Sequence, residues 1–176
     1  MVPTVVGLDL SLTSTGYACG EDQRNITTKN TGPARLHDIS TTIAEILVEL
    51  DDPVVMVEGY SFGSRNSQAH AIGELGGVVR LTLWNLRIPY VEIPPTCRAK
   101  FSTGKGNAGK TEVMSATSAR TGITWLGKGA DDRCDAFLLE EMGRVKLGTQ
   151  RYSWPVSHLA ALDKIDWSPL SHLLLP

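Results

Sequence analysis

The stretch Thr4-Val-Val-Gly-Leu-Asp-Leu-Ser-Leu-Thr-Ser-Thr-Gly16 decides how this chain is read. Strand formers fill Thr4 to Leu10, and the run breaks at a Ser/Thr cluster, Ser11 to Thr15, closed by Gly16. That pattern predicts a buried strand entering a turn. Asp9 is a charge inside this apolar strand, and burying an unpaired carboxylate costs several kcal/mol unless a cation or hydrogen-bond donors compensate. A strand-end aspartate capping the following turn accounts for Asp9 equally well when it is considered alone.

Outward from this strand, Gly16 to about Asn30 predicts an antiparallel hairpin around a polar loop, Glu21-Asp-Gln-Arg-Asn25. Leu36, Ile39, Ile43, Ile46, Leu47 and Leu50 recur at helical spacing. Pro53-Val-Val-Met-Val-Glu-Gly59 is too short for a helix and predicts a central strand whose one charge, Glu58, stands at its end. A polar loop leads to a helix from about Gln68 to Leu86, and Tyr90-Val-Glu-Ile93 is a further strand stopped by Pro94-Pro95. Thr103 to Lys110 reads as a flexible loop, followed by helices over Thr111 to Arg120 and Asp131 to Val145. This order predicts an α/β sandwich with a mixed sheet, and right-handed crossovers bring the carboxyl ends of the first and fourth strands together. The expected division is a single domain over 1–148 and a tail over 149–176, packed on the domain or on a partner.

The second set of carboxylates lies on the last helix. Asp132 and Asp135 are three apart and Asp131 and Asp135 four apart, so either pair shares a helical face. Asp131 and Asp132 suit the helix N-terminus on dipole grounds alone, whereas Asp135 precedes Ala136-Phe-Leu-Leu139 and turns toward the core. Carboxylates from two strand ends and one helix can hold hard divalent cations, one activating a water and one stabilising a leaving phosphodiester oxygen. With no Cys or His cluster, the oxygen set favours magnesium, with manganese as a substitute, over zinc.

Bulk properties limit the alternatives. The 41% apolar fraction suits one globular core, and no apolar run approaches the ~20 residues of a membrane-spanning helix. Cys19, Cys97 and Cys134 form neither a disulfide framework nor a zinc knuckle, so the chain reads as cytoplasmic, without a signal peptide or a membrane partner. The net charge of -2 argues mildly against a polyanion binder. From Ile93 to Thr111, however, Arg98, Lys100, Lys105 and Lys110 stand without an acidic residue, and they are candidates for tracking a DNA backbone. Lys110 opens a helix, where its ammonium and the backbone amides suit a phosphate.

Four segments together resemble RuvC-type Holliday junction resolvases, including phage-type members, within the RNase H-like nucleases. Gly7 to Gly16 resembles the family's GIDPGxxxTG opening, with Leu10 and Ser11 in place of its Pro-Gly. Val57-Glu58-Gly59 is similar to its second motif, the loop with Gly104, Gly106, Ala108 and Lys110 to its GxGxAxK segment, and Asp132-Arg-Cys-Asp-Ala136 to its DxxDA helix start. The resemblance implies a three-layer RNase H-like fold with a five-stranded mixed sheet flanked by helices. It also implies a homodimeric endonuclease that nicks four-way DNA junctions with two magnesium ions and no nucleotide cofactor. Carried over by position, the metal-holding set is Asp9, Glu58, Asp132 and Asp135, with Lys110 joining them in catalysis. Thr13, Ser14, Tyr60 and Phe62 join the basic residues as expected DNA contacts. For a phage-encoded member the site of action is the host cytoplasm. Two other readings stand beside this one: an RNase H-like nuclease acting on other branched DNA or structured RNA, and a fragment of an actin-like ATPase, which shares the opening motif. The helix over Gln68 to Leu86 contains Gly73, Gly76 and Gly77, and close packing against a second copy or against its own sheet would explain them.

Overall fold

A computed structural model of the chain describes residues 2–59 and 67–174. Among these, five strands form one mixed sheet: β1 (Thr4–Asp9), β2 (Thr15–Cys19), β3 (Asp22–Ile26), β4 (Pro53–Glu58) and β5 (Tyr90–Ile93), in the order β3-β2-β1-β4-β5. β2 pairs antiparallel with both β1 and β3, while β4 pairs parallel with β1 and β5 parallel with β4. The hairpin is tighter than its sequence suggests. Asp22 to Asn25 form most of β3, and the turn is confined to Gly20 and Glu21, with Gly20 at a φ of 63° that favours glycine. β3 lies at the sheet edge with its side chains alternately exposed, so a polar sequence is compatible with a strand there.

The pleat divides each central strand between two cores. Val6, Leu8, Val55 and Val57 face α1 (Gly32–Val48) and α2 (Ser67–Asn85), where Ile39, Ile43, Leu47, Leu75, Val79 and Leu83 complete one cluster. Val5, Val54 and Met56 face the other layer, formed by α3 (Pro95–Thr103), α4 (Lys110–Thr121) and α5 (Ala130–Lys146). The result is three layers, helices on both faces of a largely parallel centre. No helix among the described residues is long and apolar enough to cross a membrane.

The helix α3 is absent from the sequence expectation, which stops a strand at Pro94-Pro95 and resumes only with a loop at Thr103. Pro95 instead takes the first helical position, where a missing N–H costs nothing, and Gly104 closes the helix in the left-handed region at φ 81°. The segment after Gly148 returns to the same core: Trp154, Ala161, Ile165, Trp167 and Leu170 are buried in the α3–α5 cluster. Its anchor is Glu141 of α5, fully buried, which accepts from the backbone N–H of Arg151 at 2.9 Å and of Tyr152 at 3.0 Å. Glu140 beside it accepts from Gly20 N–H at 2.8 Å and from Arg144 and Arg151, tying the hairpin turn, α5 and the tail together.

Candidate active site

The site is built where α5 crosses the carboxyl ends of β1 and β4. Asp9 has the same pleat parity as Val5 and Gly7, and Glu58 that of Val54 and Met56, so both carboxylates project toward α5. The parallel register pairs Leu8 with Val57, which makes Asp9 and Glu58 neighbours one step further on. α5 can approach because two glycines clear its path. A Cβ on Gly7 would stand 1.9 Å from the Ala136 carbonyl oxygen, and one on Gly16 would stand 2.0 Å from the Asp132 carbonyl oxygen. The helix backbone therefore rests on the sheet backbone, and Asp135 is carried to Asp9 and Glu58.

These carboxylates are shielded from water. Asp9 is 7% exposed and Asp135 3%. Burial pushes the Asp9 carboxyl well above the usual carboxylate range, and the charges of Glu58 and Asp135 push it further, with a hydrogen bond shared with Glu58. Burial likewise raises Asp135 to about 7, against the pull of Arg98. Like charges held together out of water demand a cation.

In this structure that cation is Arg98, from α3. Its Nε donates to Glu58 Oε1 at 2.6 Å and its Nη1 donates to Asp135 Oδ1, with the residue 8% exposed. Arg98, expected to track a DNA backbone, is thus placed inside the acidic site. On a loop Arg98 would be free to face outward, but α3 packs against α4 and α5 with Cys97, Ala99 and Phe101 buried, and residue 98 is turned into the acidic site.

Asp132 stands at the rim, half-buried, where burial raises its carboxyl and a hydrogen bond from Ser14 partly offsets the shift. Lys110, at the first position of α4, reaches across with its Nζ 2.7 Å from Asp131 Oδ2 and 3.9 Å from Asp132 Oδ1. The bond to Lys110 holds Asp131 below its ordinary range, so Asp131 is the lysine's partner on the exposed side. Ser14, expected as a DNA contact, is placed beneath the start of α5. It is buried, accepts from Asn25 Nδ2 at 2.8 Å, and helps seat the start of α5 together with the Asn25–Gly129 bond. Thr13 is exposed at the turn, Lys105 is exposed and pairs with Glu112 at 3.3 Å, and Lys100 is half-buried. Tyr60 and Phe62 lie outside the described residues.

As the side chains stand, no group of three or more His, Cys, Asp or Glu among the described residues is gathered closely enough to hold a metal. The donors are nevertheless all carboxylate oxygens, the kind that suits a hard divalent ion.

A five-stranded mixed sheet in this order, with α5 bringing acidic residues to the ends of β1 and β4, defines an RNase H-like fold. No family model matches the chain. It is 32% identical over 114 residues to the crossover junction endodeoxyribonuclease RuvC of Carboxydothermus hydrogenoformans, covering 65% of this chain and 72% of that protein. Against the same enzyme of Prochlorococcus marinus strain NATL1A the identity is 27% over 152 residues, covering 79% of this chain and 96% of the relative. The solved structure of T. thermophilus RuvC in complex with Holliday junction substrate shares the fold, with a TM-score of 0.66 at 21% identity over 86% of this chain and 99% of that one. The chain belongs to the RuvC family of crossover junction endodeoxyribonucleases.

Proposed function

We propose that this protein resolves four-way DNA junctions by paired nicks, with Asp9, Glu58, Asp132 and Asp135 holding magnesium. The observation that carries the reading is the convergence of buried Asp9 and Asp135 and half-buried Glu58 at the end of two parallel strands, where Glu58 raises the carboxyls of the other two. Enzymes of the family are metal-dependent nucleases in general. The finer assignment of two magnesium ions, replaceable by manganese, rests on the all-oxygen donor set and its four members. Bound there, such ions supply Lewis-acid stabilisation of the phosphodiester and lower the proton affinity of an attacking water.

The chain's own residues do the rest. β1 and β4 fix Asp9 and Glu58 side by side, and α5 presents Asp135 and Asp132 from above. Lys110 at the rim is 64% exposed at its side chain, and it is positioned to neutralise a phosphate approaching the helix start. Lys100, Lys105 and Thr13 supply further backbone contacts, and Tyr60 and Phe62 are assigned contact with the junction bases.

The active unit is proposed to be a homodimer acting in the cytoplasm, since paired nicks in opposed strands need two sites. Its interface is the outward face of α2, where Leu81 is 59% and Trp84 77% exposed and a Cβ on Gly77 would meet nothing within 4 Å. Packing on the protein's own sheet therefore gives no reason for glycine at 77, and a neighbouring helix does.

Incubation of the purified protein with four-way, flap and linear DNA plus magnesium tests the reading. Symmetric paired nicks are expected on the four-way substrate alone, and Asp9→Asn should abolish them while junction binding persists. Cutting of all three substrates at the same rate would refute junction selectivity, and cleavage confined to flaps would move the activity to other branched DNA.

A further inference from the structure

The acidic site carries its own buried cation. Arg98 has few ways to relax: its guanidinium remains protonated under any condition in which the protein folds, and its planar fork of N–H donors is engaged by Glu58 at one end and Asp135 at the other. Both carboxylates are largely withdrawn from water, with side-chain exposures of 19% for Glu58 and 4% for Asp135. Lys110, the next cation along, is 64% exposed and engaged with Asp131 and Asp132 at the rim. The inner carboxylates therefore draw their compensating charge from α3.

The oxygens that Arg98 occupies are among those that the metal-binding reading assigns to a divalent ion. A guanidinium and a divalent cation repel at the separation that sharing one carboxylate pair would impose, and the interior screens that repulsion weakly. We infer that Arg98 is a built-in counter-ion of the active site: it holds Glu58 and Asp135 in place in the metal-free protein, and a divalent ion entering between them displaces its guanidinium. The inference rests on the reading of these carboxylates as metal ligands. It has two consequences. The metal-free protein keeps three clustered carboxylates folded, and metal binding becomes an exchange of cations, so the site fills only above a threshold metal concentration set by the arginine.

The test is a manganese titration of the protein, followed by the spin-resonance signal of the free ion, on the wild type, Arg98→Met and Arg98→Lys. Arg98→Met should bind manganese about tenfold more tightly than the wild type, with Arg98→Lys between them. In chelator Arg98→Met should melt below the wild type, and saturating manganese should close the gap. On the wild type itself, labelled at arginine nitrogen, the Arg98 Nε–H resonance should be visible in chelator and should shift or exchange away on saturation with magnesium. That measurement and Arg98→Lys decide the matter if Arg98→Met does not fold. Unchanged or weaker manganese binding in the folded variants, or an Nε–H resonance indifferent to magnesium, overturns the counter-ion role. If Asp9→Asn still removes manganese binding in that case, the ligand reading survives. If the wild type binds no manganese, both fall together.

Discussion

Replacing Gly16 with alanine should separate the seat of α5 from the chemistry that the helix carries. The new Cβ would stand 2.0 Å from the Asp132 carbonyl oxygen, 2.5 Å from the Asp132 carbonyl carbon and 3.2 Å from Ala136 Cβ, where ordinary contact starts at 3.4 Å. The shortfall of roughly 1.4 Å is against backbone, so no side-chain rotation relieves it and the first turn of α5 must lift. Overpacking of this kind costs about 1–3 kcal/mol, and at about 2–4 °C per kcal/mol for a chain of this size the melting temperature should fall by about 2–12 °C. The lifted start of α5 carries Asp132 and, one turn on, displaces Asp135, and a misplacement of about 1 Å in a reacting constellation costs on the order of 10²-fold in rate. Single-turnover nicking of a four-way junction, run well below the melting temperature, should therefore slow about a hundredfold in a sample that circular dichroism reports as folded. Wild-type nicking by folded Gly16→Ala would refute the claim that the seat of α5 sets the site, and an unchanged melting temperature would refute the close contact itself.

Three further outcomes follow from the geometry. Asp135 is raised to about 7 by burial, against an ordinary value of 3.8, so its folded form retains the proton more strongly than the unfolded chain does. Its contribution is complete below about pH 4 and fades as pH rises through 7, so the metal-free wild type should lose stability relative to Asp135→Asn across that window, measured by calorimetry in chelator. A constant difference would contradict the assignment. Glu141→Ala would strand the N–H groups of Arg151, Tyr152 and the Trp154 indole that now converge on one carboxylate, costing about 3–5 kcal/mol. Limited proteolysis should then cut near residues 149–155 at temperatures where the wild type resists. Leu81→Glu should convert the proposed dimer to monomer in sedimentation without lowering the melting temperature of the chain, because Leu81 is exposed on α2, and a persistent dimer would exclude that face.

What could be read from the chain was governed by how local the determining interactions are. β1 and β4 declare themselves because each is a short apolar run with one terminal charge, and the five-stranded α/β arrangement follows from the order of such runs. Asp135 was legible because an acidic residue followed by Ala136-Phe-Leu-Leu139 must face inward. Arg98 was not, because its reading depended on α3, and Pro94-Pro95 signals a stop as readily as a helix start. Basic residues without neighbouring acids look like a nucleic-acid surface until the fold brings Glu58, 40 positions away, and Asp135, 37 away, to the guanidinium. Nothing local to Glu140 and Glu141 signals burial, yet both are fully buried, since their partners come from Gly20 and from the tail. The tail itself has no period to detect: Trp154, Ile165 and Trp167 enter the core from irregular stretches flanking short helical turns rather than from one regular element.

The polar edge formed by β3 has a consequence for assembly. A sheet extends when an outer strand offers an unobstructed row of backbone donors and acceptors to an incoming chain, and charged side chains along that row discourage it. Here Asp22 and Arg24 pair with each other on the outermost strand. Growth of the sheet by strand addition is thereby discouraged on the hairpin side, and copies of this protein meeting there would have to do so through side chains rather than by joining ladders. A polar strand that resembles a loop in sequence thus also guards the folded protein against runaway polymerisation.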